Sequence, residues 1–259
     1  MIGRRLALSS PGLALLAIWK RWRRSRRLRS QDSRPGRCPL CAAATRFVAL
    51  SDQVRESPVC VRCGSVPRQR AVAKVLHELG LDLPRSVVHE SSPSLCSWHF
   101  LRRVAARAVG SYYFEGTTAK RVGVFHAVDL RAQPFANAEF DIVVTQDVFE
   151  HVPEPLRAFA EIHRTLRAGG AHVFTLPRQL HADTRARARL VDGRIELLLP
   201  AQHHRNPIEQ GGSLVVTDWG RDLEAMLARE LDITCTATWV HAPELGIDAP
   251  IEVFVGRAR

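Results

Sequence analysis

Two matched cysteine pairs, Cys38-Pro-Leu-Cys41 and Cys60-Val-Arg-Cys63, stand 18 residues apart and constrain the N-terminal third of this chain more than any other feature. A tetrahedral zinc ion takes four thiolates, and each Cys-x2-Cys turn can offer two of them while the intervening segment returns as a hairpin. Pro39 within the first pair and Gly64 after the second suit such turns. Two disulfides would need an oxidising compartment, and a thiol redox centre normally needs one pair on a thioredoxin-like unit. Structural zinc held by Cys38, Cys41, Cys60 and Cys63 is therefore the expectation. All four donors are cysteine, which leaves no open position for zinc catalysis. Cys96 and Cys235 have no close partner in sequence and read as core or half-buried thiols.

The 259 residues suit one α/β domain with a small module attached, and 46% hydrophobic content is enough for a sizeable core. The formal charge of +11 is concentrated at one end. Residues 1–37 hold eleven Lys/Arg against the single Asp32, so residues 38–259 carry a net charge of only +1. The main body thus gives no electrostatic reason to bind nucleic acid. In the arm, an apolar stretch from Leu13 to Trp19 runs into Lys20-Arg21-Trp22-Arg23-Arg24. Spanning a bilayer takes ~20 apolar residues, and no small-residue cleavage site follows, so neither a transmembrane helix nor a signal peptide is expected. A solvated basic tail is the simple reading, and weak contact of Trp19 and Trp22 with an anionic membrane is the functional one. The expected location is the cytoplasm, with attachment to the periphery of the inner membrane if the arm does bind lipid.

After the cysteines the pattern alternates between strand and helix. Helices are expected over Pro67–Leu79, Ser94–Arg107, Glu154–Arg167 and Asp218–Glu230. Strands are expected at Ser86–Glu90, Tyr112–Phe114, Val124–Leu130, Phe140–Thr145, Ala171–Leu176, Ile233–Val240 and Ile251–Val255. Such alternation implies a mostly parallel sheet with helices on both faces, and a ligand crevice beyond the carboxyl ends of the strands. That rule selects Glu90-Ser91-Ser92, Glu115, Asp129-Leu130 and Gln146-Asp147.

The run Phe140-Asp141-Ile142-Val143-Val144-Thr145-Gln146-Asp147-Val148-Phe149-Glu150-His151-Val152-Pro153, with Phe159, Glu161-Ile162, Arg164, Leu166 and Gly169-Gly170, resembles class I S-adenosylmethionine-dependent methyltransferases. Asp129-Leu130 with Pro134-Phe135 resembles the segment after the third strand of that family. Cys63-Gly64 followed by Arg68-Gln69-Arg70, His89-Glu90-Ser91-Ser92-Pro93, and His204-Arg205-Asn206-Pro207-Ile208 with Gly212-Ser213-Leu214-Val215 resemble a bacterial subgroup that carries an N-terminal zinc ribbon. The resemblance implies a Rossmann-like domain with a mostly parallel seven-stranded sheet over residues 67–259. It also implies a ribbon at 37–66, a basic arm at 1–36, and an acceptor-side insertion at 177–216.

What the resemblance implies for the cofactor is S-adenosylmethionine on Glu90, Ser91 and Ser92 at the methionine end and Asp129 with Leu130 at the adenine end. Glu115 would take the ribose if it ends the second strand, and Gln146, Asp147 and Val148 would line the wall near the sulfonium. The family's Gly-x-Gly-x-Gly turn is absent, and Glu90-Ser91-Ser92-Pro93 stands in its place. His151 and His204 are the candidate bases, and a small molecule or glycan is the expected acceptor. RNA or protein as acceptor, and a non-catalytic binding module, remain the alternatives at this point. A dehydrogenase is disfavoured, because a nicotinamide site needs the glycine-rich turn.

Overall fold

The computed structural model describes residues 33–204 and 211–258. The basic arm up to residue 32 lies outside them, as do Arg205, Asn206, Pro207 and Ile208 of the subgroup motif. Among the described residues no helix is long and apolar enough to cross a membrane.

The ribbon is a three-stranded antiparallel sheet of β1 (Ser33–Cys38), β2 (Ala43–Val48) and β3 (Val59–Cys60). Cys38 ends β1 and Cys60 ends β3, and the tight turns beyond them bring Cys41 and Cys63 round. Helix α1 (Pro67–Glu78) follows, opened by Pro67, with the Val66 N–H donating to Gln69 Oε1 at 3.1 Å. Then come β4 (Val87–Ser91), α2 (Leu95–Val104), β5 (Arg107–Tyr112), β6 (Arg121–Val122), β7 (Phe125–Ala127), β8 (Phe140–Gln146), α3 (Pro155–Thr165) and β9 (Leu166–Thr175). A region of short strands comes next, β10 (Arg178–Gln179), β11 (Arg185–Ala186), β12 (Ala188–Val191), β13 (Arg194–Leu197), β14 (His203–His204), β15 (Ser213–Leu214) and β16 (Thr217–Gly220). Helix α4 (Leu223–Leu231) and the hairpin of β17 (Thr234–Ala242) and β18 (Ile247–Arg257) complete the described fold.

The main sheet runs in the order β17-β18-β9-β8-β4-β5-β7-β6. Strands β4, β5, β7, β8 and β9 are parallel, whereas β18 pairs antiparallel with both β9 and β17. The sheet therefore has eight strands where seven were expected, because Arg121–Val122 folds back on Phe125 as a short antiparallel edge strand. The period-2 pattern of β8 feeds two cores. Ile142 and Val144 pack with Val72, Leu76 and Leu101 on the α1/α2 face. Val143 packs with Phe159, Ile162 and Leu227 on the α3/α4 face.

Element limits shift where local chemistry overrides periodicity. The helix expected to reach Arg107 stops at Val104, and the next strand occupies Arg107–Tyr112 instead of Tyr112–Phe114. The helix expected from Asp218 starts at Leu223, because Thr217–Gly220 pairs with both Arg178–Gln179 and Arg185–Ala186. The helix expected to continue to Arg167 ends at Thr165, whose hydroxyl returns to the Ile162 carbonyl at 2.8 Å.

The ribbon docks on the β17–β18 hairpin and on α1. Phe47 sits against Gly36 and Gly246, where a Cβ on either glycine would fall within 2.8 Å of its ring. The Arg70 guanidinium stacks over the same ring at 4.6 Å and donates to the carbonyls of Ser65, Pro58 and Gly246. Arg70 is fully buried, yet these acceptors meet most of its hydrogen-bonding capacity.

Candidate active site

The four cysteine sulfurs converge, with all ligand atoms within 4.8 Å of one another and Cys38 Sγ 3.7 Å from Cys63 Sγ. Sulfurs bound at ~2.3 Å around a tetrahedral ion stand ~3.8 Å apart, whereas a disulfide needs ~2.05 Å. The spacing fits a four-thiolate metal site. Ser65 Oγ lies 3.3 Å from both Cys38 and Cys63, and supplies a hydrogen-bonding second layer. Burial lowers the Arg70 pKa to about 10, and the sulfurs of Cys38, Cys60 and Cys63 oppose that shift. Arg70 is thus the counter-charge of the cluster.

The chain reverses its direction of growth between β4 and β8. It adds β5 and β7 on one side of β4 and then places β8 on the other. The crevice is therefore expected at the carboxyl ends of these two strands. Glu90 and Ser91 close β4, and Gln146 closes β8. The Glu90 carboxylate is 1% exposed and accepts from Gln146 Nε2 at 2.9 Å. Glu90 Oε2 and Gln146 Oε1 are both buried without a partner. Burial pushes the Glu90 carboxyl up to about 7, against the hydrogen bonds from Ser97 and Gln146 and the charge of Arg68.

The turn after β4 departs from the glycine pattern without losing its shape. Ser92 takes φ +56°, the left-handed conformation that a glycine adopts most cheaply, and its N–H donates to the Ser111 carbonyl at 2.7 Å. The Tyr112 hydroxyl donates to the Pro93 carbonyl and closes the turn against β5.

The remaining expected residues are distributed around this edge. Asp129 accepts from the Arg131 side chain and backbone at 2.7 to 3.1 Å. Burial would raise its pKa, but the bonds from Arg131 outweigh burial and hold it below the ordinary value. Leu130 is buried beside Phe135 in the α3-side core. Glu115 does not end the second strand: it lies three residues past Tyr112, in an exposed turn. Val148 packs at the margin of the α3-side core.

Asp147 faces the ribbon. Its carboxylate accepts from Arg55 at 2.5 Å and from the Thr175 hydroxyl at 2.8 Å, and forms an ion pair with Arg68, whose Nε lies 3.0 Å away. Burial acts against ionisation, but Arg68 and Arg55 outweigh it and hold the pKa below the usual aspartate value. Arg68 also reaches Glu56 at 2.6 Å. Spacing along the chain did not single out Arg55, Arg68 or Glu150 for the site. The Arg68-Gln69-Arg70 motif held a clue, since two cations so close in one helical turn rarely share one partner.

Beyond β8, Glu150, His151 and His204 come together, each with one ligand atom within 4.8 Å of the others. Glu150 is 1% exposed. Its Oε1 stands 3.7 Å from His151 Nε2 and 3.7 Å from His204 Nδ1. His151 Nδ1 donates to the Leu214 carbonyl at 2.8 Å, and the Glu150 carbonyl accepts from the Val216 N–H at 2.7 Å. The pairing of β14 with β15 carries His204 into this group. Interaction with Glu150 raises the His204 pKa, with burial opposing. A cavity of about 110 Å³ lies beside it, lined by Arg178, Gln202, His204 and Asp218 among others.

Residues 103–174 match the family described as Methyltransferase domain. No curated protein matches the chain. Among solved structures, an S-adenosylmethionine-dependent methyltransferase from Mesorhizobium loti is 16% identical with a TM-score of 0.44, over 72% of this chain and 97% of that one. The Burkholderia thailandensis 1,6-didemethyltoxoflavin-N1-methyltransferase, solved with 1,6-didemethyltoxoflavin and S-adenosylhomocysteine, is 15% identical with a TM-score of 0.41, over 83% and 95%. A chain from the Haloferax volcanii complex of a methyltransferase with its activator Trm112 is 13% identical with a TM-score of 0.46, over 74% and 93%. Residues 103–174 thus carry a methyltransferase domain, which runs from the end of α2 to β9 and includes β8 at the switch point of a doubly wound sheet.

Proposed function

We propose that the chain methylates an oxygen or nitrogen nucleophile on a small-molecule or glycan acceptor, with a structural zinc ion on Cys38, Cys41, Cys60 and Cys63. The observation that carries the cofactor assignment is the pair of buried, unpartnered oxygens, Glu90 Oε2 and Gln146 Oε1, at the switch point of the sheet. Buried acceptors without donors are costly unless a ligand completes them, and S-adenosylmethionine brings an ammonium and a sulfonium. Ser91 and Ser92 would support the methionine end. Asp129 and Leu130 would take the adenine end, and Gln146, Asp147 and Val148 would form the wall near the sulfonium.

When bound, S-adenosylmethionine supplies an already activated methyl, so the work left to the chain is alignment, exclusion of water and removal of the acceptor's proton. His151 and His204 stand where they can take that proton. His151 commits its Nδ1 proton to Leu214 and keeps Nε2 for the task. Glu150 favours the protonated form of His204, which suits it to hold a proton once received. The small cavity beside His204 and the nearly neutral main body favour a compact acceptor over a nucleic acid.

Calorimetric titration of S-adenosylhomocysteine and S-adenosylmethionine into zinc-loaded protein tests this reading. Glu90→Gln should weaken cofactor binding roughly 10- to 100-fold, the size of one charge-assisted hydrogen bond. Because Glu90 must ionise to meet a cation, binding by the wild type should release a proton below about pH 7. Folded wild-type protein that binds neither ligand would overturn the proposal.

A further inference from the structure

We propose that Glu150, His151 and His204 hold a divalent cation on the acceptor side of the site, a second metal position separate from the four-cysteine cluster. The inference revises the methyl-transfer reading in one respect, since with the ion bound His151 and His204 act as ligands and no longer as proton acceptors, and it rests on that reading only for where the acceptor sits.

The argument starts with an arrangement of acceptors. The Leu214 carbonyl can only accept, so His151 carries its proton on Nδ1 and presents a bare Nε2 when neutral. That lone pair faces Glu150 Oε1 at 3.7 Å, and His204 Nδ1 faces the same oxygen at the same distance. Both separations exceed a hydrogen bond. They fit ligands of one shared ion, since donors at ~2.1 Å from a metal stand ~3.4–3.7 Å apart at angles of about 110–125°.

A second observation is independent of that spacing. Glu150 Oε2 is buried and has no partner. A carboxylate so enclosed needs a cation or a donor, and among the described residues none is bonded to this oxygen. The bond from His151 Nδ1 to a backbone carbonyl is also the usual outer contact of a metal-bound histidine, because it fixes the tautomer and the ring plane. The position is built from two segments, and β14–β15 pairing and the Val216 to Glu150 backbone bond tie them together.

Two imidazoles and one carboxylate, with no thiolate, select a divalent transition ion such as manganese, cobalt or zinc and leave coordination positions open. The cavity lined by His204, Gln202, Arg178 and Asp218 adjoins the position. An acceptor with two adjacent oxygens, such as a vicinal diol, could fill two open positions at once, and its hydroxyl would lose a proton more readily there. The cysteine cluster, by contrast, has all four positions taken by sulfur.

The test titrates manganese(II) into full-length protein that metal analysis shows to hold one zinc per chain, and follows free ion by electron paramagnetic resonance. One manganese per chain should bind. His204→Ala and Glu150→Gln should each weaken it at least 10-fold, and His203→Ala, on the exposed neighbour, should not. Absence of stoichiometric manganese in the wild type, or unchanged binding in both His204→Ala and Glu150→Gln, would overturn the site. S-adenosylhomocysteine binding is read on the same preparations. Cofactor binding without the second metal refutes the cation alone, while the second metal without cofactor binding refutes the methyl-transfer reading.

Discussion

At the scale of single residues, Ser92 shows how the turn after β4 forms without glycines. The backbone adopts φ +56° even though a β-carbon disfavours that region by ~1–2 kcal/mol, and the bond to Ser111 and the Tyr112–Pro93 contact hold it there. Ser92→Gly should therefore raise stability by about 1 kcal/mol in a urea titration and leave S-adenosylhomocysteine affinity within about twofold. A loss of stability would mean that the hydroxyl, not the backbone, is what the turn needs. The place of Glu90 at the carboxyl end of a buried strand was legible from sequence, because the apolar run before it is local. The partners of Asp129 and Asp147 were not. Arg131 is two residues from Asp129 and only the local turn decides that they meet, whereas Arg55 and Arg68 reach Asp147 across some 80 to 90 residues of chain.

At the scale of elements, the first turn of α1 joins the four-cysteine ribbon to the carboxyl edge of the sheet. Arg70 is committed to the ribbon and the β17–β18 hairpin, while Arg68, two residues earlier, is committed to Asp147. Removal of zinc by a chelator should unfold the ribbon, since a segment of this size has too little core of its own. Arg55 would then leave Asp147, and cofactor affinity should fall several-fold even though no cysteine lies in the cofactor site. Arg68→Gln should reproduce part of that fall with zinc still bound, and metal analysis beside calorimetry separates the two cases. An unchanged affinity in the chelated, still folded domain would show that the ribbon is only an attachment. The four cysteines and the strong alternation of β4, β8 and β9 were readable because spacing and periodicity are local. The edge strand β6 and the short pairs from β10 to β16 were missed because each is too short to show a period.

For the molecule as a whole, two enclosed histidines and a half-buried third, His163, shape the response to acid. His89 and His172 are fully enclosed and each donates to or accepts from a neighbouring hydroxyl, Ser111 at 2.8 Å and Thr145 at 2.9 Å. Burial lowers His89 to about 3, His163 to about 4, and His172 well below its ordinary value. As pH falls below about 6.5 the unfolded chain takes up protons at these sites and the folded one does not, so stability is lost. Glu90 works the other way: its pKa is raised in the fold, so the folded state holds the extra proton between its ordinary value and about 7. The three histidines against Glu90 alone leave a net difference approaching two protons, or ~2–3 kcal/mol per pH unit near pH 5.5, to which His126 adds and from which His204 and Glu252 subtract. Urea midpoints measured from pH 7.5 to 5.5 in the presence of zinc should fall steeply, and a flat profile would contradict the enclosed histidines.

The seating of Phe47 between Gly36 and Gly246 has a consequence for how such sequences can diverge. Positions 36 and 246 are more than two hundred residues apart, yet each can gain a side chain only if the ring at 47 shrinks or leaves. The Glu244 carbonyl also closes position 36 and a left-handed backbone holds position 246, so both glycines should persist wherever a ring is kept at 47. A lineage that discards the ribbon would lose positions 36 and 47 together and leave Gly246 held only by its left-handed backbone at φ +77°.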